Sequence, residues 1–144
     1  AFSLGLILIG FLSRLAVSQI SIPDEWVSNA ALSFPEEEPI NPLDISGIVS
    51  NAGAFFGLAA GACWLSTLGG FSISGSPEKL LGRYIIGVLG VFALWYGLGA
   101  VFPRGETWLP YLLRFIRYGL VGVWVTALAP LLFIKLHLAT QSSK

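Results

Sequence analysis

The stretch Tyr111 to Leu136, YLLRFIRYGLVGVWVTALAPLLFIKL, sets two arginines one helical turn apart at the head of a long apolar run. Between Tyr118 and the closing Lys135 it carries no charge. A helix rises about 1.5 Å per residue and must cross roughly 30 Å of hydrocarbon, which takes about twenty apolar residues. Counting back about eighteen residues from Lys135 sets the outer boundary of a span near Tyr118, so Arg114 and Arg117 fall at the headgroup level. One-turn spacing puts both guanidiniums on one helix face, where lipid phosphate can accept their hydrogen bonds. They read as headgroup-binding anchors rather than as a clamp on a substrate phosphate.

Three more runs behave the same way. Of the 144 residues, 55% are apolar and 11% are charged, and the mean hydropathy is +0.78, well above that of an ordinary soluble domain. The expectation is an all-α polytopic membrane protein. Its four transmembrane helices fall at about 1–19, 45–68, 80–102 and 118–135, forming a single helical bundle over 1–144. The runs are continuous rather than alternating, which favours helices over a barrel. Net charge is zero and no basic run occurs, so nucleic acid is not an expected partner.

An outer loop, 20–44, separates the first two runs. It holds Asp24, Glu25, Glu36, Glu37, Glu38 and Asp44 with no lysine or arginine, and Pro23, Pro35, Pro39 and Pro42 leave room for at most a short helix around Glu25 to Leu32. Three consecutive carboxylates point in different directions, so the triplet reads as a solvated loop rather than a cation site. Cytoplasmic loops are enriched in lysine and arginine. Placing the acidic loop outside puts Lys79, Arg83, Lys135 and Lys144 inside, leaves Arg104, Arg114 and Arg117 as outer exceptions, and makes both termini cytoplasmic.

In the second run, Gly53, Gly57 and Gly61 recur every four residues and stack on one helix face, the pattern of a glycine zipper that lets another backbone approach closely. The spacing does not say whether that partner lies in this chain. Gly87, Gly90, Gly97 and Gly99 offer a similar surface in the third run. Ser50, Asn51 and Thr126 are polar groups expected to seek interhelical partners, and Pro130 predicts a kink in the last span. Arg14 is costly at membrane depth unless paired or near the interface. Cys63, the single cysteine, reads as a buried structural residue.

No catalytic residue is assigned. His137 is the sole histidine, which rules out a histidine dyad, a multi-histidine metal site and a strong pigment site. No phosphate loop, nucleophile elbow, CxxC or HExxH spacing occurs, and no metal or other cofactor is expected. Spans two to four lack the interior ionisable residues of a transport pathway.

Three segments carry a resemblance: INPLDISGIVSNAGAFFGLAAG, LGGFSISGSPEKLLGRYIIGVLGVFALWYGLGAVFPRGE and LLRFIRYGLVGVWVTALAPLLFIKL. Over roughly Ile40 to Leu138 the chain resembles the C-terminal membrane region of some bacterial members of the type 2 phosphatidic acid phosphatase family. That family removes phosphate from lipid phosphates or isoprenoid diphosphates without a metal, through a phosphohistidine. Its signatures are Lys with Arg-Pro, then Pro-Ser-Gly-His, then Ser-Arg followed by His and Asp. Ser13, Arg14 and Asp24 fall at the spacing of the third, but Ile20 stands where the nucleophilic histidine belongs, so no role is carried over.

The resemblance implies a lipid phosphatase (a hydrolase) whose C-terminal membrane region follows a catalytic core not contained in 1–144, in the bacterial inner membrane, with the lipid bilayer and that core as partners. The chain opens at Ala1 without a methionine or signal-peptide signature and reads as processed or as a piece of a longer one. The alternative is a small noncatalytic subunit that scaffolds a larger membrane complex through the Gly53, Gly57 and Gly61 face.

Overall fold

The computed structural model describes residues 2–21, 23–33, 41, 43–103, 105 and 107–141. The acidic triplet Glu36 to Glu38, together with Arg104 and Lys144, lies outside the described residues. Among these residues six α-helices form: α1 (Phe2–Val17), α2 (Asp24–Ser33), α3 (Ser46–Thr67), α4 (Pro77–Val101), α5 (Trp108–Val123) and α6 (Ala129–Lys135). A π turn, Trp124–Leu128, joins the last two into one helical path. Among the described residues the only β pairing is an isolated antiparallel bridge between Phe71 and Gln141.

Among the described residues three helical segments are long and apolar enough to cross a bilayer: Ser46–Thr67, Pro77–Val101 and Trp108–Lys135. The expected fourth is the shorter α1, of 16 residues. Gly10 abuts Ile48, and the Phe2 ring meets Phe55 edge to face at 5.4 Å, so α1 runs antiparallel to α3. Phe55 lies nine residues into α3, about 14 Å along its axis. The described part of α1 therefore flanks only about the first half of α3. The short helix expected in the outer loop is present as α2 and buries no residue.

The most extensive helix pairing joins α3 to α5. Gly53, Gly57, Gly61, Gly119 and Gly122 are all buried. A Cβ at Gly53 or Gly57 would run into the backbone oxygen of Phe115 or Gly119, and one at Gly122 would come within 2.6 Å of Leu58 N. The α3 glycine face thus lies against α5 of the same chain. Gly90 makes room for Trp124, whose indole Nε1 donates to Gly87 O at 3.1 Å, while Gly97 has open space beside it.

Proline 130 acts one turn earlier than a simple kink would. Its ring nitrogen cannot donate to Thr126 O and its ring crowds that carbonyl, a conflict relieved by a wider turn. Accordingly, Ala129 N–H reaches back five residues to Trp124 O, and the helix continues to Lys135. Thr126 donates to Gly122 O at 2.9 Å and Ser50 to Ser46 O at 2.9 Å, so both hydroxyls bond into their own helices, although Ser50 also hydrogen-bonds Tyr118. Asn51 is exposed. Cys63, expected inside, is a free cysteine on the exposed side of α3, because the buried side is taken by Gly57, Gly61 and Leu65.

At one end of the helices, Arg83 is 8% exposed and ties two loops together. Its Nη1 donates to Ile73 O at 2.9 Å, Nη2 to Ser74 O at 2.8 Å and Nε to Leu138 O at 2.9 Å. Lys79 Nζ donates to His137 O at 3.1 Å, and Ser72 N to Thr140 O at 2.8 Å. Lys79 and Arg83, which the sequence presents only as basic residues of the inner side, are therefore a fastener between the turn after α3 and the tail after α6.

Candidate headgroup-binding site

The opposite end gathers the start of α3, the end of α4 and the start of α5. There α5 begins at Trp108, ten residues before the span boundary expected at Tyr118, so Arg114 and Arg117 sit within a regular helix. Both line one cavity of about 570 Å³, walled by Trp95, Tyr96, Gly99 and Ala100 of α4 and by Asp44, Phe102, Pro103 and Pro110. Eighteen residues separate Arg117 from Lys135, about 27 Å of helix, so the guanidinium stands near one hydrocarbon boundary when Lys135 stands at the other.

Neighbours hold Arg117 without satisfying it. Its guanidinium lies 5.0 Å from the Tyr118 ring centroid, and Nη2 donates a long bond of 3.4 Å to the Tyr118 hydroxyl. That hydroxyl also accepts from Trp95 Nε1 at 3.3 Å, which fixes its position between α4 and α5. Gly99 provides the clearance, because a Cβ there would stand 2.6 Å from Arg117 Nη1. Arg117 Nε is buried with no hydrogen-bond partner. Arg114 donates no hydrogen bond to a described residue and feels Asp44 only through its charge.

Asp44 is spoken for by its own loop. Its carboxylate accepts from Ser46 N at 2.8 Å, from Ser46 Oγ and, at 3.5 Å, from the Tyr111 hydroxyl, which itself accepts from Arg14 at 3.5 Å. Partial burial raises the Asp44 pKa, but the Ser46 bonds, the Arg114 charge and Tyr111 outweigh it, so the group is held below its ordinary 3.8. It stays ionised at neutral pH at the N-terminus of α3, where a negative charge is favoured. Arg14 thereby lies at the loop end of α1, half-buried beside Tyr111.

The cavity therefore presents two guanidiniums with unused donors, one carboxylate whose oxygens are already engaged, and apolar or aromatic walls. Such a set can receive an anion with several oxygens. Among the described residues no three or more His, Cys, Asp or Glu side chains group as metal ligands. His137 is at the other end, next to Lys79. Periodicity singled out the arginines as candidates, whereas Trp95, Gly99 and Tyr118 beside them lie far away in the chain or carry no charge. Only the adjacency of Tyr118 to Arg117 was a usable signal.

A family model described as PAP2 superfamily phosphatase, transmembrane extension, matches residues 49–141. No curated protein and no solved structure matches the chain. The matched segment takes in nearly all of α3 and everything through the Phe71–Gln141 bridge, including both cavity arginines. It covers well over half of the chain, so the chain belongs to the family of PAP2 superfamily phosphatase transmembrane extensions.

Proposed function

We propose that the chain is the membrane-embedded C-terminal region of a lipid-phosphate phosphatase, packing beside a catalytic core that lies upstream or on another chain. The observation that carries this reading is the match of residues 49–141 to a transmembrane extension, a segment defined by its attachment to a phosphatase. In this reading α1, which runs antiparallel to α3, provides a fourth crossing. Among its described residues helix α4 buries only Arg83, so the apolar side turned away from Trp124, Phe133 and α5 is open to neighbouring helices of the core. The setting is a bacterial inner membrane, with both termini cytoplasmic and the Asp44 end outside, where Arg114 and Arg117 hold lipid headgroups.

Gly53, Gly57 and Gly61 act in this proposal as the close-packing surface that fixes α5, and with it both arginines, against α3. The scaffold alternative needs that face for another subunit, whereas α5 of the same chain lies on it. The deciding experiment is the intact mass and N-terminal peptide of the protein extracted from its native membrane. A heavier chain with upstream peptides containing Pro-Ser-Gly-His supports the phosphatase reading. A mature chain starting at Ala1, with no phosphatase copurifying, supports the noncatalytic subunit instead.

A further inference from the structure

We propose that the cavity between α4 and α5 is a discrete site for one lipid phosphate monoester, whose phosphate is shared by Arg114 and Arg117. The inference rests on the headgroup role proposed above and names its ligand, its place and its stoichiometry.

The contrast between the arginines at the two ends is the starting point. Arg83 is satisfied by the carbonyls of Ile73, Ser74 and Leu138, the pattern of a structural guanidinium. Arg117 has one long bond and a buried Nε with no partner, and Arg114 has none among the described residues. A buried donor left unmade is costly, so a binding partner that supplies oxygens there gains more than it would at a solvated arginine. Asp44 does not fill that need, because Ser46 and Tyr111 already take its oxygens.

The ligand class follows from the donors. Two planar forks on one helix face match an acceptor with several oxygens and more than one negative charge. A phosphate monoester brings three terminal oxygens and nearly two charges at neutral pH, whereas a diester brings fewer of both. Trp95, Phe102, Pro103 and Pro110 add apolar surface beside the polar lining of Asp44, Ser46 and the two arginines, so one cavity offers room for a glycerol backbone with the start of its acyl chains as well as for the phosphate. Tyr118, pinned by Trp95, is a positioning residue that keeps Arg117 turned along the cavity. Bulk headgroup anchoring needs only exposed arginines; this site also needs the empty volume.

The test uses the intact protein in nanodiscs, delipidated and titrated with phosphatidic acid, phosphatidylglycerol or soluble glycerol 3-phosphate, with bound lipid counted by native mass spectrometry. One phosphatidic acid per chain is expected, at least about tenfold tighter than either other ligand, and Arg114→Ala/Arg117→Ala should weaken it by about a hundredfold. Ala100→Phe fills the cavity from an exposed helix position and leaves every charge in place. It should abolish retention while the protein remains monodisperse. Unchanged retention in monodisperse Ala100→Phe protein, or equal affinity for phosphatidylglycerol, would overturn the proposal. Equal affinity for glycerol 3-phosphate would make the cavity a soluble-phosphate site and overturn its lipid assignment. None of these results depends on what precedes Ala1, so the cavity can fail while the phosphatase reading stands.

Discussion

Replacing Arg83 with alanine removes the donors of three backbone carbonyls in two segments that no other side chain joins so extensively. Leu138 O is half-buried and loses bonds from both Nε and Nη2, so a charge-assisted contribution of about 1.5–3 kcal/mol applies there. Ile73 and Ser74 are exposed, so water replaces part of what their carbonyls lose, and about 0.5–1.5 kcal/mol each is the fitting range. The combined cost is about 2.5–6 kcal/mol, which lowers the melting temperature on the order of 10 °C. Arg83→Lys retains the charge but replaces the fork by a single ammonium, and should recover less than half of the loss. Thermal unfolding of the purified protein in one fixed detergent gives the magnitude. Amide exchange gives the location, because the Ser72 N–H that donates to Thr140 O should exchange faster in Arg83→Ala. A melting temperature within about 2 °C of wild type, or Lys behaving like Arg, would refute the assignment of Arg83 as the fastener.

Other substitutions test the rest of the packing. Gly57→Leu must push α5 away from α3, because even a Cβ meets the Gly119 backbone, and a loss of about 3 kcal/mol or more is expected. Gly97→Ala, with open space around it, should be neutral or stabilising by up to about 1 kcal/mol; melting temperatures of the two variants should diverge in opposite directions. Trp124→Phe deletes the indole bond to Gly87 O and should cost about 1 kcal/mol, measured the same way. Asp44 has a folded-state pKa below its ordinary 3.8, so its contribution is present above that value and lost as pH falls through the folded pKa. Stability measured from neutral pH into that acid range should fall in wild type and fall less in Asp44→Asn.

The sequence alone placed three of the long apolar helices, because a bilayer imposes a length and a composition that YGLVGVWVTALAPLLFIK and its counterparts satisfy without reference to any contact, whereas the first of its four expected runs forms only the shorter α1. It also marked Arg114 and Arg117, since helical periodicity alone sets residues three apart on one face. The glycine spacing raised the expectation of a close approach at Gly53, Gly57 and Gly61, but a face has no address, and only the packed structure puts α5 of the same chain upon it. Arg83 and Arg117 are the same residue type within apolar helices. Their difference, one saturated by carbonyls and one with a buried unpaired nitrogen, comes from which loop folds back to meet each. The same holds for Cys63, whose side of the helix is fixed by what covers Gly57 and Gly61, and for α1, whose crossing depends on how far along α3 it lies. Pattern fixes local conformation because backbone geometry is local; partnership is decided only when segments distant in the chain are brought together.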